Sequence, residues 1–204
     1  MSYFEDESHG FTIYSTPFGG GQAIRTWIYY AGTNEIEPSY DVDHHFGMGK
    51  PYDTLKEWDY KETKFKKVST PKKIAVYRNP FERFISTYYE VRITEGKIDG
   101  TLDDFLENMD KYLTSKHLKS IFATQTYHLG KSRDYYTSVV EYKNFTKIKG
   151  ILESKWGVGL PEITLPHTDP PCPFTGRVCE FELTTPQKRK VREIYSEDFE
   201  NGWV

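Results

Sequence analysis

The chain has 204 residues, of which 37% are hydrophobic and 28% charged, and a formal net charge of −3. That length suits a single domain, residues 1–204, with its own core, and the charge excludes broad nucleic-acid binding, which needs a basic face. No apolar run reaches the ~18–20 residues of a membrane span, and the acidic opening MSYFEDESHGF has neither the basic nor the apolar region of a signal peptide, so a soluble, cytoplasmic protein is expected.

In chain order, Gly10 to Thr16 reads as a short first strand. Pro17-Phe18-Gly19-Gly20-Gly21 is a loop, and Gln22 to Tyr30 has a helical pattern. Residues 31–71 are irregular, polar and rich in turn formers, and a connection of that length inside a compact domain is commonly functional. Lys64, Lys66, Lys67, Lys72 and Lys73 make either a solvated face or a cationic rim that attracts an anion. A strand follows at 73–77 and a helix from Pro80 to about Ile93. Thr101-Leu102-Asp103-Asp104 opens another helix in the manner of a capping box, with Phe105, Leu106, Met109 and Leu113 as its apolar face. Residues 115–130 fit no single period. Asp134 to Tyr142 reads as a buried strand, Asn144 as the cap of a helix ending near Gly157, and Thr185-Pro186 as the start of the last helix, with Val191, Ile194 and Tyr195 inward. Strands alternating with helices predict an α/β fold with a mostly parallel central sheet flanked by helices. Tyr (16) and Phe (13) are abundant, so large rings supply much of its core.

The stretch KKIAVYRNPFERFISTYY, residues 72–89, carries the sharpest signal. Asn79 is a good N-cap and Pro80 suits the first helical position. Phe81, Phe84, Ile85 and Tyr88 recur at i, i+3, i+4 and i+7 as one apolar face. Arg78 therefore ends a strand and Ser86 lies two turns into the helix that follows, at the strand edge where open α/β sheets bind ligands. A guanidinium fork and a hydroxyl converging there suit a phosphate.

Arg78-Asn79-Pro80-Phe81-Glu82-Arg83 with Ser86 and Tyr88-Tyr89 resembles the 3′-phosphate-binding segment of the sulfotransferases that use 3′-phosphoadenosine-5′-phosphosulfate (PAPS), most closely the carbohydrate branch. The resemblance implies a P-loop-like three-layer fold, PAPS as donor and 3′-phosphoadenosine-5′-phosphate (PAP) as product. It also implies a small-molecule or glycan hydroxyl acceptor, with no metal, and assigns Arg78 and Ser86 to the 3′-phosphate. It spans most of residues 11–200, but only 78–89 matches as a motif. The oligomeric state is not legible.

The first loop is a Gly-rich turn between strand and helix, a recipe for cradling phosphate with backbone N–H groups and a helix N-terminus. The Gly-Lys-Ser/Thr of a nucleoside triphosphate P-loop is missing. The loop is similar to the family's 5′-phosphosulfate loop, which implies donor contacts from Pro17, Phe18, Gly19, Gly20, Gly21, Gln22 and Ala23. Pro17 and Gly20 match; Phe18 stands where the family has a lysine, and Gly21 and Gln22 replace its hydroxyl residues. Arg25, about one helical turn on, is the expected substitute cation, because positive charge is needed where the leaving phosphate gains charge.

Transfer to an alcohol needs a side chain that accepts the hydroxyl proton. His44 and His45, flanked by Asp41 and Asp43, are the expected bases, with His45 preferred and Glu57, Asp59 and Glu62 as carboxylate alternatives. His117 to Gln125 resembles, loosely, a family segment that approaches the acceptor. Tyr136 to Phe145 resembles another, with Glu141 at a strand end. Leu165-Pro166-His167-Thr168 and Tyr195-Ser196-Glu197-Asp198-Phe199 have family echoes, and Arg177 between them is a candidate third phosphate contact. Cys172 and Cys179 lack zinc-ligand spacing; a disulfide across the short Pro/Gly loop between them is geometrically possible, and free thiols are the preferred reading. Two further readings stay open: a kinase-like or hydrolytic nucleotide-binding protein of similar architecture, and a degenerate PAPS-binding protein without turnover, the reading that Phe18 supports.

Overall fold

The structure, a computed structural model, describes residues 2–19, 21, 24, 27–28, 31, 65–94, 96–162 and 182–204, with Ser2, Ile93 and Thr94 described by backbone alone. Among the described residues, four strands form one open sheet in the order β1-β2-β3-β4. They are β1 (Ser2–Asp6), β2 (Phe11–Ser15), β3 (Lys72–Tyr77) and β4 (Ser138–Glu141). β2, β3 and β4 run parallel, with Ser15 opposite Val76 and Tyr77 opposite Glu141. β1 is antiparallel to β2, Phe4 opposite Ile13. The sequence reading missed β1, because the acidic side chains of Ser2–Asp6 mask a strand whose Phe4 packs against the core from the sheet edge. The expected α/β class with a mostly parallel sheet is observed.

The strand pleat sends alternate side chains to opposite faces. One face presents Phe11, Ile13, Ile74, Val76 and Val140. It is covered by Ile24, Trp27 and Ile28, which are helical together with Gly21 and Ala31, and by α6 (Phe145–Trp156) through Phe145, Ile148 and Leu152. Trp27 stacks on Phe145 at 4.5 Å between centroids, and its ring N–H donates to the Pro161 carbonyl at 3.0 Å. Each such aliphatic or aromatic burial stabilises by about 1.5–3 kcal/mol. The opposite face presents Tyr14, Ala75 and Tyr77 to Leu129, Tyr136 and Trp203. Tyr14 donates to the Lys66 carbonyl at 3.0 Å, and burial pushes its phenol pKa far up.

A separate helical cluster lies around α1 (Pro80–Tyr89). It includes α2 (Leu102–Glu107), the short turn α3 (Met109–Tyr112), α4 (Lys116–Ile121) and α7 (Thr185–Ile194), and its centre is Phe84, Tyr88, Phe105, Phe122, Val191 and Tyr195. The ambiguous 115–130 region is two short helices, α4 and α5 (Gln125–Leu129), capped by Ser115 and Thr124. The chain closes with α8 (Ser196–Glu200).

Several local expectations shift. The strand expected over 134–142 begins as a tight helical turn at Arg133–Tyr135 and extends only over Ser138–Glu141. Asn144 precedes α6 but makes no side-chain capping bond, since a turn at Tyr142–Asn144 leads directly into the helix. Gly157 ends α6 at φ 69°, where its missing Cβ is required. The cap of α7 is Thr184, one residue earlier than expected, reciprocated by Gln187 in a full capping box. Among the described residues no helix is long and apolar enough to cross a membrane.

Candidate functional site

The parallel register brings the carboxyl ends of β2, β3 and β4 to one edge, where Ser15-Thr16, Arg78 and Glu141-Tyr142 meet. Thr16 begins a tight turn in which Gly19 N–H donates to the Thr16 carbonyl at 2.9 Å. Phe18 sits at φ 57°, a region few side chains adopt. Gly19 packs so closely that a Cβ there would collide with Thr16 Oγ1, and a Cβ at Gly21 would lie 3.2 Å from Ser15 Oγ. The loop is thus folded tightly over the two hydroxyls of the strand end, and glycine is what allows the approach.

Asn79 caps α1 as expected, its Oδ1 accepting from Phe81 N–H at 3.0 Å, with Pro80 at the first helical position. The buried stripe of α1 is Pro80, Arg83, Phe84, Thr87 and Tyr88. It is rotated from the expected face, leaving Phe81 and Ile85 half-buried. Arg78 is 6% exposed. Its Nη1 donates to the Phe18 carbonyl at 3.3 Å, and its guanidinium lies 4.9 Å from the Tyr142 ring centroid. Nε lies 3.6 Å from a Glu82 carboxylate oxygen, too long for a hydrogen bond, and so remains without a hydrogen-bond partner. Burial lowers the Arg78 pKa, and the nearby Tyr142 and Glu82 partly offset this. Ser86, half-buried, lies one turn beyond Glu82. Helical spacing therefore puts Arg78's ion-pair partner and Ser86 on one side of α1.

Arg83 was part of the motif but had no assigned role. It is fully buried, with Nε donating to the Pro17 carbonyl at 3.2 Å and Nη2 to the carbonyls of Ile121 (3.0 Å) and Ala123 (2.6 Å). Its guanidinium lies 5.5 Å from the Tyr195 ring centroid. The signal that reveals it is an arginine on the buried stripe of a helix, a residue almost never fully buried without a reason.

Among the described residues, four buried groups on the strand ends, the first loop's flank and α1 have no hydrogen-bond partner: Ser15 Oγ, Thr16 Oγ1, Arg78 Nε and Arg83 Nη1. Buried polar groups are nearly always satisfied, so these four want an explanation. All four can donate, and an oxygen-rich anion is the chemistry that would satisfy them.

Gln125, expected near the acceptor, is fully buried instead, bonded to the Arg78 backbone. His117 is exposed on α4, and Glu141, at the end of β4 as expected, pairs with Lys143 at 2.8 Å. Tyr195 and Asp198 are buried structural groups: Tyr195 donates to the Phe122 carbonyl at 3.0 Å, and Asp198 accepts from Gln125 and Thr126 N–H. Gly20, Gln22, Ala23, Arg25, His44, His45, Glu57, Asp59, Glu62, His167, Cys172, Arg177 and Cys179 lie outside the described residues. Of the expected donor contacts, Pro17, Phe18, Gly19, Gly21, Arg78 and Ser86 are described, and the first loop, Arg78 and α1 form one neighbourhood. No group of three or more acidic, histidine or cysteine side chains suited to a metal occurs among the described residues. No family model, no curated protein and no solved structure matches the chain.

Proposed function

We propose that this chain is a PAPS-dependent O-sulfotransferase with a P-loop-like α/β fold, acting on a hydroxyl acceptor, with a carbohydrate as the preferred class. The observation that carries the reading is Arg78: a buried guanidinium at the carboxyl edge of β3, tied to the first loop through the Phe18 carbonyl, with an unsatisfied Nε and with Glu82 and Ser86 following on α1. Its support is twofold. The motif around Arg78 resembles the family's 3′-phosphate segment, and the unsatisfied donors beside the loop fit an anion.

In this reading Arg78 and Ser86 hold the 3′-phosphate, while the loop 17–23 holds the 5′-phosphosulfate through its backbone N–H groups other than that of Gly19, which the Thr16 carbonyl takes. Bound there, PAPS supplies a sulfonate: the acceptor oxygen bonds to sulfur, the bond from sulfur to the bridging oxygen breaks with its electron pair going to the 5′-phosphate of PAP, and the hydroxyl proton passes to a base. His45 or His44 is the proposed base, and Arg25 and Arg177 are proposed further cations. The scheme needs positioning and fixed charge and no metal. The carboxylate of Glu82, 56% exposed beside Arg78, opposes an anion there.

Calorimetric titration with PAP and with ATP plus magnesium tests the reading. Binding of PAP, unaffected by magnesium and tighter than ATP, supports it. Magnesium-dependent ATP binding with no PAP binding overturns it in favour of a kinase-like protein. PAP binding with no sulfate transfer to glycans, phenols or steroids would mark a donor-binding protein without turnover.

A further inference from the structure

The first loop lacks the lysine of the sulfotransferase pattern and carries Phe18 in its place. The loop offers a phosphoryl anion only the partial charges of its backbone N–H groups and helix N-terminus, so a full positive charge has to act from outside it; Arg25 is one proposed source, and Arg83 is a second. Arg83 meets three requirements. Its guanidinium touches the loop directly, through Nε and the Pro17 carbonyl at 3.2 Å. It is fully buried, where charge is screened least. No carboxylate forms an ion pair with it among the described residues; the buried carboxylate of Asp198 feels its charge but bonds the N–H groups of Gln125 and Thr126 instead. Carbonyl oxygens accept from three of its five N–H groups, yet Nη1 has no hydrogen-bond partner among the described residues.

A buried cation that lacks a countercharge is costly. Arg83 and Arg78 also repel each other across the loop, since Arg83's charge adds to the lowering of the Arg78 pKa. Two buried guanidinium groups bond the carbonyls of Pro17 and Phe18, and the exposed carboxylate of Glu82 pairs with one of them, Arg78. The described residues pair no carboxylate with Arg83, and a ligand anion would supply that countercharge.

We infer that Arg83 supplies the positive charge that the loop itself lacks, and that by holding the Pro17 carbonyl it keeps the loop in place beside a 5′-phosphoryl group. Arg83 is a positioning residue, acting through the loop and through its field. The inference rests on the sulfotransferase reading for the identity of the ligand, and the test separates the two.

Adenosine 5′-phosphate and adenosine 3′-phosphate probe the two ends of the site. Affinities are measured by calorimetry for the wild type, Arg83→Gln and Arg83→Lys, with thermal melts to report folding. Arg83→Gln is expected to weaken adenosine 5′-phosphate by about tenfold or more and adenosine 3′-phosphate by less than about threefold, as loss of one poorly screened charge near one phosphate requires. Arg83→Lys, which keeps the charge, is expected to recover most of the loss. Equal weakening of both ligands without recovery by lysine would make Arg83 a structural clamp and overturn the inference, as would unchanged binding in a folded Arg83→Gln.

Phe18→Lys, which leaves every Arg83 bond in place, guards against a glutamine variant that fails to fold. It is expected to gain less than about threefold for adenosine 5′-phosphate, because the charge is already supplied, and a gain of about tenfold or more would overturn the inference. A wild type that binds adenosine 5′-phosphate but neither adenosine 3′-phosphate nor PAP would sink the sulfotransferase reading while leaving the Arg83 comparison decisive. A wild type that binds none of the three sinks both.

Discussion

Gln125 and Arg78 exchange two hydrogen bonds through one amide. Arg78 N–H donates to Gln125 Oε1 at 2.9 Å, and Gln125 Nε2 donates to the Arg78 carbonyl at 2.8 Å and to the Trp203 carbonyl at 3.0 Å. The two carbonyl partners fix which end of the amide is nitrogen. Gln125 thereby ties the strand-to-helix turn that carries Arg78 to the end of the chain.

This bracket is directly testable. Gln125→Glu keeps the shape and the acceptor but loses both donors, leaving two buried carbonyls facing a carboxylate. A cost of about 1–3 kcal/mol follows from each buried polar group left unsatisfied. Chemical denaturation checks this, and a variant as stable as the wild type would show that the bracket carries no weight.

Asp198 gives a pH dependence of definite sign. Burial raises its pKa above the ordinary 3.8, despite the N–H groups of Thr126 and Gln125. An acid whose folded value is raised binds more protons folded than unfolded, so its contribution is fully present below the unfolded value and declines as pH rises to the folded one. Asp198→Asn cannot titrate and turns one acceptor toward an N–H, so it is expected to cost about 1–3 kcal/mol at neutral pH. That penalty should grow on acidification toward 3.8. Denaturation series from pH 7 to 4 would measure it, and a penalty that shrinks on acidification would contradict the account.

Glu82 opposes an anion beside Arg78. Its carboxylate is exposed and 3.6 Å from Nε, so the pair is worth at most about 1 kcal/mol. Glu82→Gln is therefore expected to tighten PAP binding by about two- to fivefold. Weaker binding in that variant would mean that Glu82 orients Arg78 more than it competes with the ligand.

The cap of α1 sets the direction in which the helix leaves the site. Asn79→Ala removes the acceptor for Phe81 N–H and should cost about 1 kcal/mol, or about 2–4 °C in Tm for a domain of this size. Thermal unfolding with no shift would contradict the capping role.

The turn from β3 into α1 was readable because each signal is local: an apolar strand, Asn before Pro, and a helical repeat. The first loop was readable for the same reason, since glycines bound it. The roles of Gln125, Arg83 and Asp198 were not. Each is fixed by backbone groups far away in sequence, such as Trp203 for Gln125 and Pro17 for Arg83, and no period or spacing encodes such partners. β1 was lost because an acidic edge strand lacks the apolar run that marks buried ones. The rotation of the α1 stripe has the same origin: the helix buries Arg83 and Thr87 through hydrogen bonds, so hydrophobicity alone misplaces the face.

The central claim is that Arg78 and Ser86 grip one phosphoryl group. The most direct measurement is a calorimetric titration of PAP into the wild type, Arg78→Ala, Ser86→Ala and the double variant. The account predicts binding by the wild type, about 30-fold or greater weakening in Arg78→Ala from loss of a charge-assisted fork, a smaller loss in Ser86→Ala, and a double variant less impaired than the two losses combined, because both act on the same group. Unchanged affinity in Arg78→Ala, or fully independent losses, would contradict it.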